Sequence, residues 1–593
     1  MSIAVGNILK GSFKRMNFTI NFKTTKKQKT MFETKRNALY EKKEKSIAEM
    51  NIFEKEMFKS EHETLSGNGA LKYSTSGNPF VDDFAALGTY KEPRNISEVF
   101  ATMNRLWSLD PIKTLKLTVY LRMITRNTKL FDGTKLTVQR GQGLKAEFFN
   151  RLLWLATYHP DTFKKNIDVF ICAGSWDDIF ELMRLDLSYV HDGNPKKRAL
   201  DWDFLFKIIC SGLGDKDQAN LVKKYLPTIK SASQCKTVRS QQNNYIGKFI
   251  ANKLFEGDKQ QKYAAYRRLK SSGTAHEWQQ LISQQRYQDI DFNKIAGRAL
   301  SILTNSKFLE NHGLEDKFAQ FILSQESAKY TGFVYELFAK PLHKKYQRLL
   351  VDRQFMGLIN TAKQNMNRDS NFIVCVDTSG SMTSPACGTN ISSYDVAKAM
   401  ALYFSHLLEG KFANTFLEFN SSVKMHTWSG KTPTEKFFNF NSSYVGSTNF
   451  LGVAKLFAEL KSKGYAESDF PTGVIAISDG EFNCSRSYDG FKRTTFENFK
   501  SILRNAGFSE EFVSNFKIVL WDIPNGYYGM RHTAKFEGLA DAPNFFYMSG
   551  FDPSGIAFLC GTEVKEKVAT TPKNAEELFE EAMKQELLLL LRI

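Results

Sequence analysis

This sequence is poor in several features that would place it quickly. None of its 593 residues falls in a stretch approaching the roughly 18 consecutive apolar residues of a membrane-crossing helix. The leucine run Leu587 to Leu591 is far too short. The N-terminus, MSIAVGNILKGSFKRMNF, has no long apolar core after a basic start and no small-residue cleavage site, so no signal peptide is expected. Cysteines number seven, an odd count, scattered and without a CxxC pair. Reduced thiols and a cytoplasmic location without a membrane partner are expected, and a zinc centre is not. His406 and His426 stand alone, with no nucleophile–base pair near them, so no enzymatic activity is expected.

What is abundant is positive charge, and it is unevenly placed. The net charge is +18. Residues 1–60 carry 14 Lys/Arg against 6 Asp/Glu, residues 61–370 carry 46 against 32, and residues 371–593 carry 21 against 25. A segregated basic surface favours an anionic partner such as nucleic acid, although a merely solvated lysine-rich surface has the same composition.

Texture divides the chain. Residues 1–60, with KTTKKQKT and EKKEKSIAEMNIFEKEMFK, read as a basic N-terminal arm with little core of its own. Residues 61–367 read as an α-helical domain. Segments such as VFATMNRLWSL, PIKTLKLTVYLRMITR, LKAEFFNRLLWLATYHP and FVYELFAKPLHKKYQRLLVDRQFMGLINTA place apolar residues three or four apart. An α-solenoid or irregular bundle is expected, though no repeat of fixed period is visible. Trp107, Trp154, Trp176 and Trp278 sit at helical spacing among apolar residues and are read as core. From 368 to 570, short β-branched strands (FIVCVD, TFLEF, GVIAISD, KIVLWDI) alternate with helical stretches, which predicts a Rossmann-like α/β domain with a parallel sheet covered on both faces. Residues 571–593 read as a C-terminal helix.

The informative stretch is NFIVCVDTSGSMTSPACG, Asn371 to Gly388. A buried strand ends in Asp377, and Ser379 and Ser381 follow at alternate positions. A second strand, Val474 to Ile477, runs into Ser-Asp-Gly-Glu, placing Asp479 at the equivalent end. Thr448 lies between them in a Gly/Ser loop before a helix. In open α/β sheets, ligands bind beyond the carboxyl ends of the strands. Two carboxylates and three hydroxyls there suit Mg²⁺ (or Mn²⁺), a hard cation that takes six oxygens, and leave it wanting one more anionic oxygen. Loop-forming and helix-capping roles are the plainer alternative for the same residues.

DTSGSM, the Thr of the GST loop and SDG at a strand end, in this order and with spacings of roughly 70 and 100 residues from Asp377, resemble the metal-ion-dependent adhesion site (MIDAS) of von Willebrand factor A domains. The resemblance implies that Ser379, Ser381 and Thr448 ligate directly or through water, and Asp377 and Asp479 mostly through water. It also implies that the open position takes an acidic side chain of a protein partner.

An A domain placed after a large basic helical region resembles the Ro autoantigen family, whose TROVE module is a ring of HEAT-like repeats that binds RNA. The chain is also similar to a second family, with viral and phage members, that pairs a TROVE-like helical region with a C-terminal A domain. That likeness rests on YSTSGNPFVDDF (Tyr73 to Phe84), LDPIKTLKLTVYLRMITR (Leu109 to Arg126), GSWDDIFEL (Gly174 to Leu182), YAAYRRLK (Tyr263 to Lys270) and FNKIAGRALS (Phe292 to Ser301). Members of that family follow the YLR helix with an Arg-Gly-Gly-Lys-Gly turn. Here NTKLFDGTKLTVQ intervenes and the turn reads RGQGLK, Arg140 to Lys145.

These likenesses imply a ribonucleoprotein role, with single-stranded ends or small structured RNAs as partner. Phosphates require Lys and Arg, which makes Arg122, Arg126, Arg140, Lys145, Lys196, Lys197, Arg198, Lys236, Arg239, Arg267, Arg268, Lys294 and Arg298 the candidate contacts. Each is equally well read as an ordinary exposed helix charge. The rival whole-chain reading is a protein-interaction scaffold or viral assembly component, its metal site gripping an acidic partner.

Overall fold

The computed structural model describes residues 50–593 except 67, 89–93, 190–196, 274–276, 364–370, 387–388, 409–410, 443–445, 484–492, 524–535 and 552–571. Most of the expected basic arm, and Lys196, lie outside the described residues. The described part of the arm is one helix, Ile52–Glu61, capped reciprocally by Asn51 and Glu54, and it buries no side chain.

A helical region comes first. Its main core joins the helices Ile96–Leu109, Pro111–Tyr120, Lys145–Tyr158, Ile167–Ala173, Asp177–Ser188, Trp202–Gly214 and Val238–Leu254. Trp154 and Trp176 are buried in it and Trp107 packs against it; Trp278 packs on a smaller cluster around Phe292, Phe318 and Leu350. Two stretches expected as single helices are broken. The helix through PIKTLKLTVY ends at Tyr120, and Arg126 already belongs to a strand: β3 (Arg126–Lys129) pairs antiparallel with β4 (Lys135–Val138), so the intervening insertion is a hairpin. Pro341 lies in the gap between Val334–Phe338 and Lys345–Lys363, where a missing amide hydrogen cannot continue a helix.

The α/β region carries a six-stranded sheet in the order β10-β9-β8-β5-β6-β7. Its strands are β5 (Phe372–Asp377), β6 (Thr415–Phe419), β7 (Val423–Thr427), β8 (Gly473–Ser478), β9 (Lys517–Asp522) and β10 (Phe545–Ser549). All neighbours are parallel except β6 and β7, which are antiparallel. Every residue of β5 and β8 is buried, because helices cover both faces. Phe372, Val374 and Val376 point into one core, with the helices Lys345–Lys363 and Ser393–Leu407; Ile373 and Cys375 point into the other, with Leu451–Ser462 and Thr495–Asn505. The edge strands β7 and β10 were not evident in the sequence. β7, VKMHT, has no residue fully buried and so lacks an apolar pattern.

The two ends of the described chain cross over. A small hairpin, β1 (Glu63–Leu65) with β2 (Leu71–Tyr73), places Ala70 and Tyr73 in the core beside β8, β9 and β10. Tyr73 and Phe536 exchange backbone hydrogen bonds of 2.7 and 2.8 Å. In the other direction, the C-terminal segment with helices Ala575–Ala582 and Glu586–Leu589 buries Phe579, Met583, Leu587, Leu588 and Leu591 in the helical core. Asn166 ties that end down by bonding both the amide and the carbonyl of Arg592, at 2.9 and 2.6 Å.

Candidate metal centre and candidate nucleic-acid interface

β5 and β8 are adjacent and parallel, so their carboxyl ends deliver Asp377 and Asp479 to one edge. The chain leaves β5 for β6 on one side and returns to β8 on the other, which makes this edge the topological switch point of the sheet. Asp377, Ser379, Thr448 and Asp479 are all buried, and Ser381 is partly so. The Ser379 amide donates to Asp377 Oδ1 at 2.8 Å, which turns the chain so that the Ser379 and Ser381 hydroxyls lie 3.2 Å apart. Thr448 is held to the loop after Asp479 by a reciprocal pair. Its amide donates to Asn483 Oδ1 at 3.2 Å, and the Asn483 amide donates to its carbonyl at 3.1 Å. The structure thus brings all five expected ligands to one sheet edge.

The electrostatics favour a cation. Burial pushes the Asp377 carboxyl up from its ordinary value, and the charge of Asp479 pushes it further. Its hydrogen bonds come from neutral donors, the Ser379 amide and the Ser478 hydroxyl, the latter at 2.5 Å. No His, Cys, Asp or Glu cluster of three or more is placed to hold a metal among the described residues. The donor set here is instead two carboxylates and three hydroxyls. All are hard oxygens, so the residues fit Mg²⁺ or Mn²⁺ and not a thiophilic ion.

Several supporting residues escaped the sequence reading. Ser478, the last residue of β8, steadies Asp377. Glu418, an acid inside the apolar strand TFLEF, accepts the Thr378 hydroxyl at 3.0 Å and lies 2.7 Å from His426 Nε2. Asn420 Nδ2 donates to Thr378 at 3.0 Å, so the turn between the first two ligands is fixed from behind. An acid in a buried strand was the only available signal.

The least foreseeable support comes from the N-terminal hairpin, which lies along the loop that follows Asp479. Ser66 Oγ donates to Phe482 O at 2.7 Å, Asn68 Nδ2 to Glu481 O at 2.5 Å, and Gly69 forms a bridge with Asn483. The buried Lys72 ammonium donates to Gly480 O, lies 3.7 Å from the buried Glu537 carboxylate, and sits over the Phe482 ring. Gly480 has φ +74°, a conformation that L side chains rarely adopt, so the loop's course depends on a glycine here. Residues some 400 positions apart therefore fix the loop that follows Asp479.

The candidate RNA contacts are scattered, and many serve the chain itself. Arg122 is buried in a two-pronged ion pair with Asp178, at 2.7 and 3.2 Å. Arg126 donates to the carbonyls of Ile171 and Cys172. Both leave the set of surface contacts, because their donors are consumed inside the fold. Arg140 donates to Thr331 O and Gly332 O and lies over the Phe333 ring. Its turn is a close approach, since a Cβ on Gly141 would meet Tyr120 O at 1.8 Å. Lys145 lies 3.3 Å from Asp177 and 3.9 Å from Glu181, which also accepts Arg239 at 2.5 Å. Burial raises the Glu181 carboxyl, but hydrogen bonds from Arg239 and Arg184 outweigh it and hold it at about 2. Lys294 pairs with Glu277 and Arg298 with Glu336. Arg198 donates weakly to Asp186 O. Lys197, Lys236, Arg267 and Arg268 are exposed.

Comparison with known proteins adds the following. Two models of domains of unknown function match the chain: DUF2828 over residues 66–193 and DUF7788 over residues 371–588. The first begins inside the hairpin that braces the loop after Asp479, and the second begins at the residue before β5. A search of curated proteins gives no match. Among solved structures, the crystal structure of the Deinococcus radiodurans RO (RSR) protein aligns at 13% identity, covering 85% of this chain and 99% of that one, with a TM-score of 0.31. A TM-score that low does not establish a shared fold. No helix among the described residues is long and apolar enough to cross a membrane.

Proposed function

We propose that this chain is a Ro-like RNA-binding protein with two separable sites. The helical region, a TROVE-like module, takes single-stranded RNA on its exposed cations. The α/β region is an A domain whose sheet edge holds Mg²⁺ or Mn²⁺ through Ser379, Ser381 and Thr448, with Asp377 and Asp479 behind them. A bound divalent ion there would supply an electrophilic position for one anionic oxygen, and an acidic side chain of a partner protein is the ligand proposed. Binding, not catalysis, is the role read for both sites.

The observation that carries the reading is the pairing of opposites within one chain. A helical region with 46 Lys/Arg against 32 Asp/Glu precedes a slightly acidic α/β region. In that second region, hard oxygens gather around Asp377, a buried acid bonded only by neutral donors. A second reading has its own support. Lys145, Arg239, Lys294 and Arg298 all face the chain's own carboxylates, as the charges of a protein-interaction scaffold would.

Titration calorimetry on the full chain tests the metal site: Mg²⁺ or Mn²⁺ should bind the wild type and fail to bind Asp377→Ala. RNA shift assays beside pull-downs test separability. RNA binding should persist in EDTA and in Asp479→Ala, whereas a protein partner should be lost in both. Loss of RNA on chelation, with partners retained, would place the RNA phosphate on the metal instead.

A further inference from the structure

The helices Ala219–Tyr225, Lys259–Ser271 and Glu277–Ser283 border an open cavity of about 380 Å³. Its lining residues include Ile229 and Tyr266, both buried. The Tyr266 hydroxyl donates to Pro227 O at 2.8 Å, inside the fold. Arg267, Lys224 and Lys270 contribute cations, and Thr228, Ser271 and Gln279 contribute hydroxyls and an amide.

Arg267 and Lys270 differ from Lys145, Arg239, Lys294 and Arg298, each of which faces an acid of the chain. The segment KQQKYAAYRRLKS holds five Lys/Arg and no acid. Among the described residues, no carboxylate lies within ion-pair distance of Arg267 or Lys270. Arg267 makes only a 3.5 Å contact to Ile229 O. Lys270 donates to Lys224 O and Leu226 O, at 3.2 and 2.5 Å, and burial lowers its affinity for the proton. Everywhere else that a candidate RNA contact approaches a cluster of acids, the chain neutralises it. Here Arg267 and Lys270 line a concavity with no carboxylate at ion-pair distance from either among the described residues.

We propose that this cavity is a single-nucleotide subsite for RNA, resting on the RNA-binding reading above. Its volume is at the small end of the roughly 300–1,000 Å³ of ligand sites, which suits one nucleotide unit and not a length of strand. A base or ribose would fill the cavity beside Thr228, Ser271 and Gln279, which offer edge contacts. The phosphate would lie on Arg267, with the one Lys270 N–H not given to Lys224 O and Leu226 O beside it. A planar guanidinium can in addition stack on a base, which an ammonium cannot.

The test uses the full chain, a fluorescent single-stranded oligoribonucleotide and 5′-AMP as probes. Thr228→Trp plugs the cavity without changing charge. Arg267→Glu reverses its main cation, and Lys424→Glu reverses an exposed charge of the α/β region, outside the candidate contacts. Thr228→Trp and Arg267→Glu should each weaken RNA binding by about tenfold or more, and Lys424→Glu by about threefold or less. 5′-AMP should compete with the RNA and lose binding in the same two variants. If Thr228→Trp binds RNA like wild type while both charge reversals weaken it equally, the subsite is overturned and RNA binding stands as surface electrostatics. If 5′-AMP binds and is lost in Thr228→Trp while no RNA binds, the cavity is upheld as a nucleotide site and the RNA reading falls. If neither probe binds, both fall.

Discussion

The sheet edge and the helical surface put charge to opposite uses. At the edge, three separate loops bring five oxygen side chains together, and among the described residues the buried Asp377 accepts hydrogen bonds from neutral donors. In the helical region many more charges are present, yet the buried Arg122 and Arg184 and the outer Lys145 and Arg239 are spent on Asp177, Asp178 and Glu181. A few uncompensated groups therefore say more about binding than a large net charge does. A composition of 46 cations against 32 acids overstates the surface open to an anion, because pairing removes many of those cations from it.

The sharpest way to break this comparison is to ask whether the two regions stand apart at all. Deleting residues 573–593 strips Phe579, Met583, Leu587, Leu588 and Leu591 from the helical core. Each such side chain is worth about 1.5–3 kcal/mol buried, and together they rival the stability of a whole domain, about 5–15 kcal/mol. The truncated chain should fail to accumulate as folded protein, read by soluble yield and far-ultraviolet circular dichroism. A folded, soluble product would show that the C-terminal segment is an accessory.

The hairpin brace gives the next largest effect. Lys72→Met leaves Glu537 buried and unpaired, which should cost about 3 kcal/mol in urea unfolding. Adding Glu537→Gln should restore most of that. Lys72→Met should also weaken Mg²⁺ binding, since Lys72 holds the carbonyl that follows Asp479. Metal affinity equal to wild type would make the brace purely structural.

A pH measurement probes the α/β core. Burial lowers His406 from about 6.5 to about 4, with Nδ1 2.8 Å from Leu402 O and Lys436 Nζ 3.2 Å from Nε2. The folded value lies below the unfolded one, so between these limits the unfolded chain takes up a proton that the native chain refuses. This contribution is present above pH 6.5 and is lost as pH falls towards 4, by an amount on the order of 2 kcal/mol. The wild type should lose that much more stability than His406→Gln across the window, and parallel curves would contradict the burial argument.

The smallest effect is expected on the helical surface. Lys145→Ala and Arg239→Ala remove cations already shared with Glu181, and each should change RNA affinity by less than about threefold. A tenfold loss in either would return the ion-paired network to the interface.

The local arrangement of the candidate site was legible in the sequence. Buried strands read as such because β5 and β8 are apolar on both faces, and an acid at the end of such a strand can only be at a sheet edge. Asp377, Ser379 and Ser381 are close in the chain, so their geometry is set by one turn. The alternation of strands and helices likewise announced a parallel sheet, but β7 sits at an edge where partial burial blurs the pattern, and β10, though four of its five residues are buried, was not read as a strand. The Asp377 turn needed Glu418 and Asn420 from the next strand, which no spacing rule connects to it.

What only the tertiary structure decided was partnership at a distance. Whether an arginine is free or neutralised depends on which acid the fold sets beside it. Arg122 and Arg267 look alike along the chain, yet Asp178 takes the one while the other stands beside a cavity. The crossing of the chain ends was equally invisible, since Lys72 meets Gly480, and Phe579 meets Phe80 and Phe84, through packing between surfaces that are remote in sequence. Local sequence determines which segments are buried and which turns carry oxygen. Ion pairing and long-range packing, which depend on distance in space and not along the chain, determine which charges remain available to a partner.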